Sequence, residues 1–146
     1  MKKLILTFSI VTIIVACKKN EDNTAPSLPL TKSNIAGTYK VTAATFTPSG
    51  SPLAFNVFDD TTAYKVCKKD DLLIFDTTNY TYSDVGTICS PNGSVSPSPY
   101  TLKLPDTLIY GGSSYNIISL TATQLQISRF VTSPISGTGG ITLTRQ

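Results

Sequence analysis

The chain has 146 residues, 40% hydrophobic and 14% charged, which suits one globular domain with a sparsely charged surface. It contains no histidine, so the commonest general base, metal ligand and pH switch are missing, and much hydrolytic and metal-dependent chemistry goes with them. The formal charge of +3 falls to ten basic against nine acidic side chains once Lys2 and Lys3 are assigned to a removable segment; the rest are interspersed, as in Lys68-Lys69-Asp70-Asp71, and form no basic patch for nucleic acid.

Lys2 and Lys3 precede an apolar run over residues 4–16, too short to span a bilayer comfortably, which is the pattern of a secretory signal peptide at 1–16. The run ends Ile14-Val15-Ala16-Cys17, which resembles the bacterial lipobox. That resemblance implies processing to Cys17, lipid (palmitate among the acyl chains) on Cys17, and attachment to a membrane without a spanning helix. Residues 17–32 are polar and then proline-containing, so they are expected to form a flexible tether ahead of a β domain at 33–146. Within the tether, Lys19-Asn20-Glu21-Asp22 resembles the short charged signals that send some lipoproteins to the cell surface, and it serves equally well as a plain solvated linker. The expected location is the outer membrane, on its periplasmic face or at the cell surface.

Seven Tyr, six Phe, no Trp and abundant Thr, Ser, Gly and Pro favour many short strands and turns. The first β-run covers 35–46, with Tyr39, Val41, Ala43 and Thr45 on one face. Pro48, Gly50 and Pro52 keep residues 47–63 out of a central strand, yet this segment carries Leu53, Phe55, Val57 and Phe58, which are expected to be buried against the barrel. A short helical turn over 61–66, capped by Asp59 or Asp60, is expected next.

Residues 72–75 and 80–85 are two β-runs joined by turn residues 76–79, so they form a hairpin with Cys67 and Cys89 just outside its open ends. With Cys17 lipidated, these two are an even pair in an exported chain, and a Cys67–Cys89 disulfide is expected. Residues 90–99, rich in Ser and Pro, are expected to be a mobile loop. Beyond them come β-runs at 100–104, 107–110, 115–120, 124–130 and 141–145, punctuated by Pro105-Asp106, Gly111-Gly112, Thr121-Ala122 and the glycines of 137–140. The fold class is therefore all-β: a small antiparallel up-and-down barrel of about eight strands that closes its own edges. A two-sheet β-sandwich is the alternative.

Several blocks resemble the lipocalin-like domains of Bacteroidetes lipoproteins: Ile35-Ala36-Gly37-Thr38-Tyr39, Cys67 through Leu72 with Ile74-Phe75, Asn79-Tyr80-Thr81-Tyr82, Cys89, and Ile141-Thr142-Leu143-Thr144-Arg145. The resemblance spans roughly residues 33–146 and departs at Tyr39, where the family usually has Trp. It implies a small hydrophobic ligand in the barrel, and it makes Tyr39 and Arg145 the pair that would pack across the closed end. An ordinary core tyrosine beside an exposed terminal arginine fits the residues as well.

No Gly-x-Ser-x-Gly motif is present, and no activated nucleophile or cofactor motif stands out, so no enzymatic activity, catalytic residue or cofactor is expected. Asp59-Asp60 and Asp70-Asp71 lack the spaced acceptors of a calcium loop and are read as caps and turns rather than metal ligands. Thr61, Thr77 and Thr107 each follow an aspartate, as in Bacteroidetes O-glycosylation acceptors, although Asp-Thr is also ordinary turn chemistry. Two functional readings remain. In one, the barrel holds a small apolar molecule near Tyr39, Phe46, Leu53, Phe55 and Phe58; in the other, a filled barrel serves as an adaptor whose loops meet a protein or glycan.

Overall fold

The computed structural model describes residues 26–89 and 94–146, so the signal segment, Cys17 and the first part of the tether lie outside it. A short helix α1 (Lys32–Ile35) leads into β1 (Gly37–Pro48) and β2 (Phe55–Asn56). The hairpin β3 (Leu72–Phe75) and β4 (Asn79–Ser83) follows, then β5 (Val95–Pro99), β6 (Thr101–Lys103), β7 (Thr107–Tyr110), β8 (Ser113–Leu120), β9 (Gln124–Val131) and β10 (Gly137–Arg145). All pairings are antiparallel, in the order β5-β4-β3-β1-β10-β9-β8-β7-β6, with the two-residue β2 added to β1.

Strands adjacent in sequence are thus adjacent in space, and the last strand returns to pair with the first. Only Tyr100 separates β5 from β6, so residues 95–103 act as one bent strand, bonded to β4 by its first half and to β7 by its second. The fold is therefore a nearly closed up-and-down barrel of lipocalin-like form, with nine strands in the path, or about eight if β5 and β6 are counted together. A single continuous sheet leaves no room for the sandwich alternative.

Three expectations are corrected by this topology. The expected loop at 90–99 contains β5, and Pro97 and Pro99 are tolerated because the pairing with β4 is short and broken by a register shift between Tyr80 and Tyr82. The glycines of 137–140 are not a turn but the start of β10, paired with Val131 to Ser128 on one side and Pro48 to Thr45 on the other. At Gly137 and Gly140 the neighbouring strand approaches closely: a Cβ on Gly140 would sit 2.7 Å from the Thr45 hydroxyl, and one on Gly137 would meet the Thr47 carbonyl and the Phe46 ring. Finally, the inward face of β1 is not a simple alternation. A bulge between Val41 and Ala43 swaps the faces, so Tyr39 and Val41 are followed inward by Ala44, not by Ala43 and Thr45.

One end of the barrel is shut. Thr31 accepts the Asn34 N–H through its hydroxyl at 3.1 Å and caps α1, which lays Ile35 into the core beside Tyr39, Leu108, Leu120, Leu125, Ile127 and Leu143. Leu28 donates its N–H to the Leu120 carbonyl at 2.7 Å, and Leu28 and Leu30 pack on the same core. The end of the expected tether is thus bound to the fold. Arg145 closes the arrangement, donating from Nη2 to the Tyr39 hydroxyl at 2.6 Å and to the Asn34 carbonyl at 2.7 Å, with its guanidinium 5.2 Å from the Tyr39 ring centre. Among the described residues no helix is long and apolar enough to cross a membrane.

Candidate ligand site at the open end of the barrel

A column of aromatic rings fills the barrel from the closed end upward. Tyr39 meets Phe75 edge-on at 6.1 Å, Phe75 meets Tyr100 at 5.1 Å and Tyr110 at 5.5 Å, and Tyr110 stacks on Tyr115 at 4.7 Å. Arg129 lies over Tyr115, so an arginine stands at each end of the column. Burial pushes the Tyr110 hydroxyl well above its ordinary pKa, with Tyr115 adding to the effect.

Beside Tyr110 the filling stops. A cavity of about 210 Å³ opens there, its wall made by Val41, Leu73, Ile141 and Leu143 from the strands and by Tyr64 and Asp71 from the loop before β3. A second hollow of about 420 Å³ lies at the mouth, between Phe46, Val57, Arg129, Val131 and Ile135. Tyr64 and Ile141 line both, so Tyr64 stands as the partition. It is held by a turn in which its N–H reaches the Asp60 carbonyl at 2.7 Å, and its ring packs at 5.2 Å on Phe58, itself covered by the Lys69 ammonium at 4.5 Å. Burial and then the Asp71 charge raise the Tyr64 hydroxyl to about 12.

The expected helical turn at 61–66 appears as this turn followed by a 3-10 turn at Val66–Lys68, and Asp60 is its cap, accepting the N–H groups of Thr62 and Ala63. Those bonds hold the Asp60 carboxyl below the usual range.

The polar end of the inner cavity is built by the segment that flanks the central hairpin. Cys67 and Cys89 lie at disulfide distance, with Cα atoms 5.3 Å apart. Asp70 accepts the Thr87 N–H at 2.8 Å, and Asp84 accepts the Cys89 N–H, so residues 67–71 are laced to 84–89. Gly86 has φ +65° and would drive any Cβ into the Asp70 carboxylate, which makes glycine obligatory at this crossing. Lys68 donates to the Tyr82 hydroxyl at 3.0 Å, and Tyr82 donates to Asp71 Oδ2. Burial, and then the facing Asp84 carboxyl, push Asp71 above the usual carboxylate range, against the pull of Lys68.

Of the residues expected to touch a ligand, Phe46 lines the mouth and Phe58 backs the Tyr64 partition. Tyr39 is buried at the closed end, away from both hollows. Leu53 and Phe55 are not buried on the barrel: they are 66% and 54% exposed, because β2 is a two-residue outer addition to β1 and the loop before it stands away from the mouth. Thr61 and Thr77 are exposed at turns, whereas Thr107 is half-buried in β7. Tyr64, Asp71, Tyr82 and Tyr110 escaped the sequence reading. The alternation Tyr80-x-Tyr82 at the end of a buried hairpin was the one signal that could have found Tyr82.

Comparison with protein-family models, curated proteins and solved structures finds no match for this chain.

Proposed function

We propose that this chain is an exported lipoprotein of the lipocalin-like kind, held at the outer membrane through lipid on Cys17, whose barrel takes a small apolar molecule at its open end. The reading is supported chiefly by the partly empty barrel: a cavity opens beside Tyr110 of the aromatic column, and a mouth hollow adjoins it across Tyr64. Ligand pockets run to roughly 300–1,000 Å³, a range that the mouth hollow reaches alone and the inner cavity reaches only with it. The resemblance at Ile14-Val15-Ala16-Cys17 supports the anchor.

Native mass spectrometry of the full-length protein, extracted gently from its own host, tests the ligand. A retained small molecule, together with saturable one-to-one binding of a nonpolar fluorophore, is expected. A bare mass with no saturable binding would overturn the reading. Radiolabelled palmitate should enter the wild type and not Cys17→Ser; an unlabelled, membrane-bound wild type would sink the anchor.

A second reading, an adaptor that meets a protein or glycan through its loops, is favoured by one observation. Leu53, Phe55 and Ile135, the last 60% exposed, present apolar side chains from the loops 49–58 and 132–136, which are tied together by the Ser49 N–H on the Ser136 carbonyl at 2.9 Å.

A further inference from the structure

Along β9 the side chains of Leu125 and Ile127 are buried, and strand alternation puts Arg129 and Val131 next on the same inward face. Arg129 stands where the barrel wall meets solvent, and its side chain is exposed. Among the described residues it is the only charged side chain that lines the mouth hollow. Its Nη1 donates to the Ser113 hydroxyl at 3.0 Å and its guanidinium lies 5.7 Å from the Tyr115 ring centre, so the group is held from the β8 side. A guanidinium has five N–H donors, and among the described residues neither a carboxylate nor a second hydrogen-bond acceptor takes the remainder. Other cations at the barrel ends are engaged: Arg145 donates to Tyr39 and Asn34, and Lys69 faces Asp59 at 3.7 Å. Opposite Arg129 in the β9–β10 register stands Gly139, which lines the same hollow. A Cβ there would come no nearer than 3.9 Å to a non-neighbouring atom, so packing does not demand glycine, and the missing side chain leaves room beside the guanidinium.

We infer that Arg129 is the head-group site of the mouth hollow and that the ligand is an amphiphilic monocarboxylic acid, its carboxylate on Arg129 and its apolar body against Phe46, Val57, Val131 and Ile135. This rests on the proposed binding at the open end and names the ligand class for it. A guanidinium meets a carboxylate edge to edge through two parallel hydrogen bonds, and one positive charge balances one negative one, whereas a doubly charged phosphate would be left half-neutralised. The exposed position of Arg129 lets the head keep part of its hydration, so the desolvation cost that makes buried ion pairs break even is largely avoided. At about 420 Å³ the hollow has room for a ring with a short alkyl chain, since engineered cavities of about 150 Å³ bind benzene.

The test compares 4-butylbenzoate with 4-butylbenzamide, which has the same heavy-atom count and shape but no charge. Calorimetric or NMR titration of the full-length wild type at neutral pH and low salt should give the acid an advantage of about fivefold, the size expected of an ion pair open to solvent, and added salt should narrow it. In Arg129→Gln, an exposed substitution whose one lost hydrogen bond is that to Ser113, the acid should lose its advantage while the amide keeps its affinity. Gly139→Leu should fill the hollow and weaken both compounds severalfold; unchanged affinities in that variant would place the body elsewhere and overturn the inference. Equal wild-type affinities, or a preference for the acid that survives in Arg129→Gln, would overturn the role of Arg129 while leaving apolar binding in place. Neither compound bound, with the nonpolar fluorophore still bound, would reject this inference alone. Loss of all three would reject the binding reading as well.

Discussion

Two aspartates in the central hairpin region respond to pH in opposite senses. Asp76 is exposed, and the N–H groups of Asn79 and Thr78 hold its carboxyl below the usual range. A lowered folded pKa contributes stability above the unfolded value and loses it as pH falls through the folded one. Asp76→Ala should therefore lower the melting temperature at neutral pH, and the difference should close in strong acid, where the wild-type carboxylate is also protonated. Asp71, buried beside Asp84, is raised, so its contribution is full at acid pH and declines as pH rises through its folded pKa. Asp71→Asn should accordingly gain on the wild type as the pH rises, read as a melting-temperature difference that grows from acid to neutral. A difference independent of pH would show that Asp71 does not titrate differently in the folded chain.

The elements that were legible in the sequence are those whose pattern is local. The β3–β4 hairpin, with its Asp76 turn, and the meander from β7 onward follow from β-branched and aromatic runs broken by Gly and Pro. What escaped depends on contacts between distant segments. β5 is a strand because the chain must bend at Tyr100 to join β4 to β7, and Gly137 belongs to β10 because Phe46 leaves no room for a side chain. A bulge after Val41 turned the expected inward face over midway, and no residue there announces it. Leu53 and Phe55 were apolar without being buried. The cysteine pair was legible because it flanks a hairpin, and it makes a direct prediction. Linking residues 22 apart in sequence contributes about 3 kcal/mol by loop-closure entropy. Reduction should lower the melting temperature clearly and expose two thiols, whereas two reactive thiols in the untreated native protein would refute the bond.

At the scale of the whole molecule, the barrel is divided by the height of its filling. Arg145, Tyr39 and the leucines seal one end, the aromatic column occupies the middle, and Tyr64 separates the inner cavity from the mouth. Tyr64 is attached through a loop rather than a strand, so removing its ring should join the two hollows while leaving the sheet intact. Under the proposed function, a straight-chain alcohol series reads the result. Each additional methylene buried contributes roughly 0.8 kcal/mol, so wild-type affinity should rise with chain length only until the chain meets Tyr64 and then level off. In Tyr64→Ala the rise should continue to longer alcohols, at a modest cost in melting temperature from the lost packing on Phe58. An unchanged chain-length limit in a variant that melts like the wild type would mean that Tyr64 does not divide the binding space.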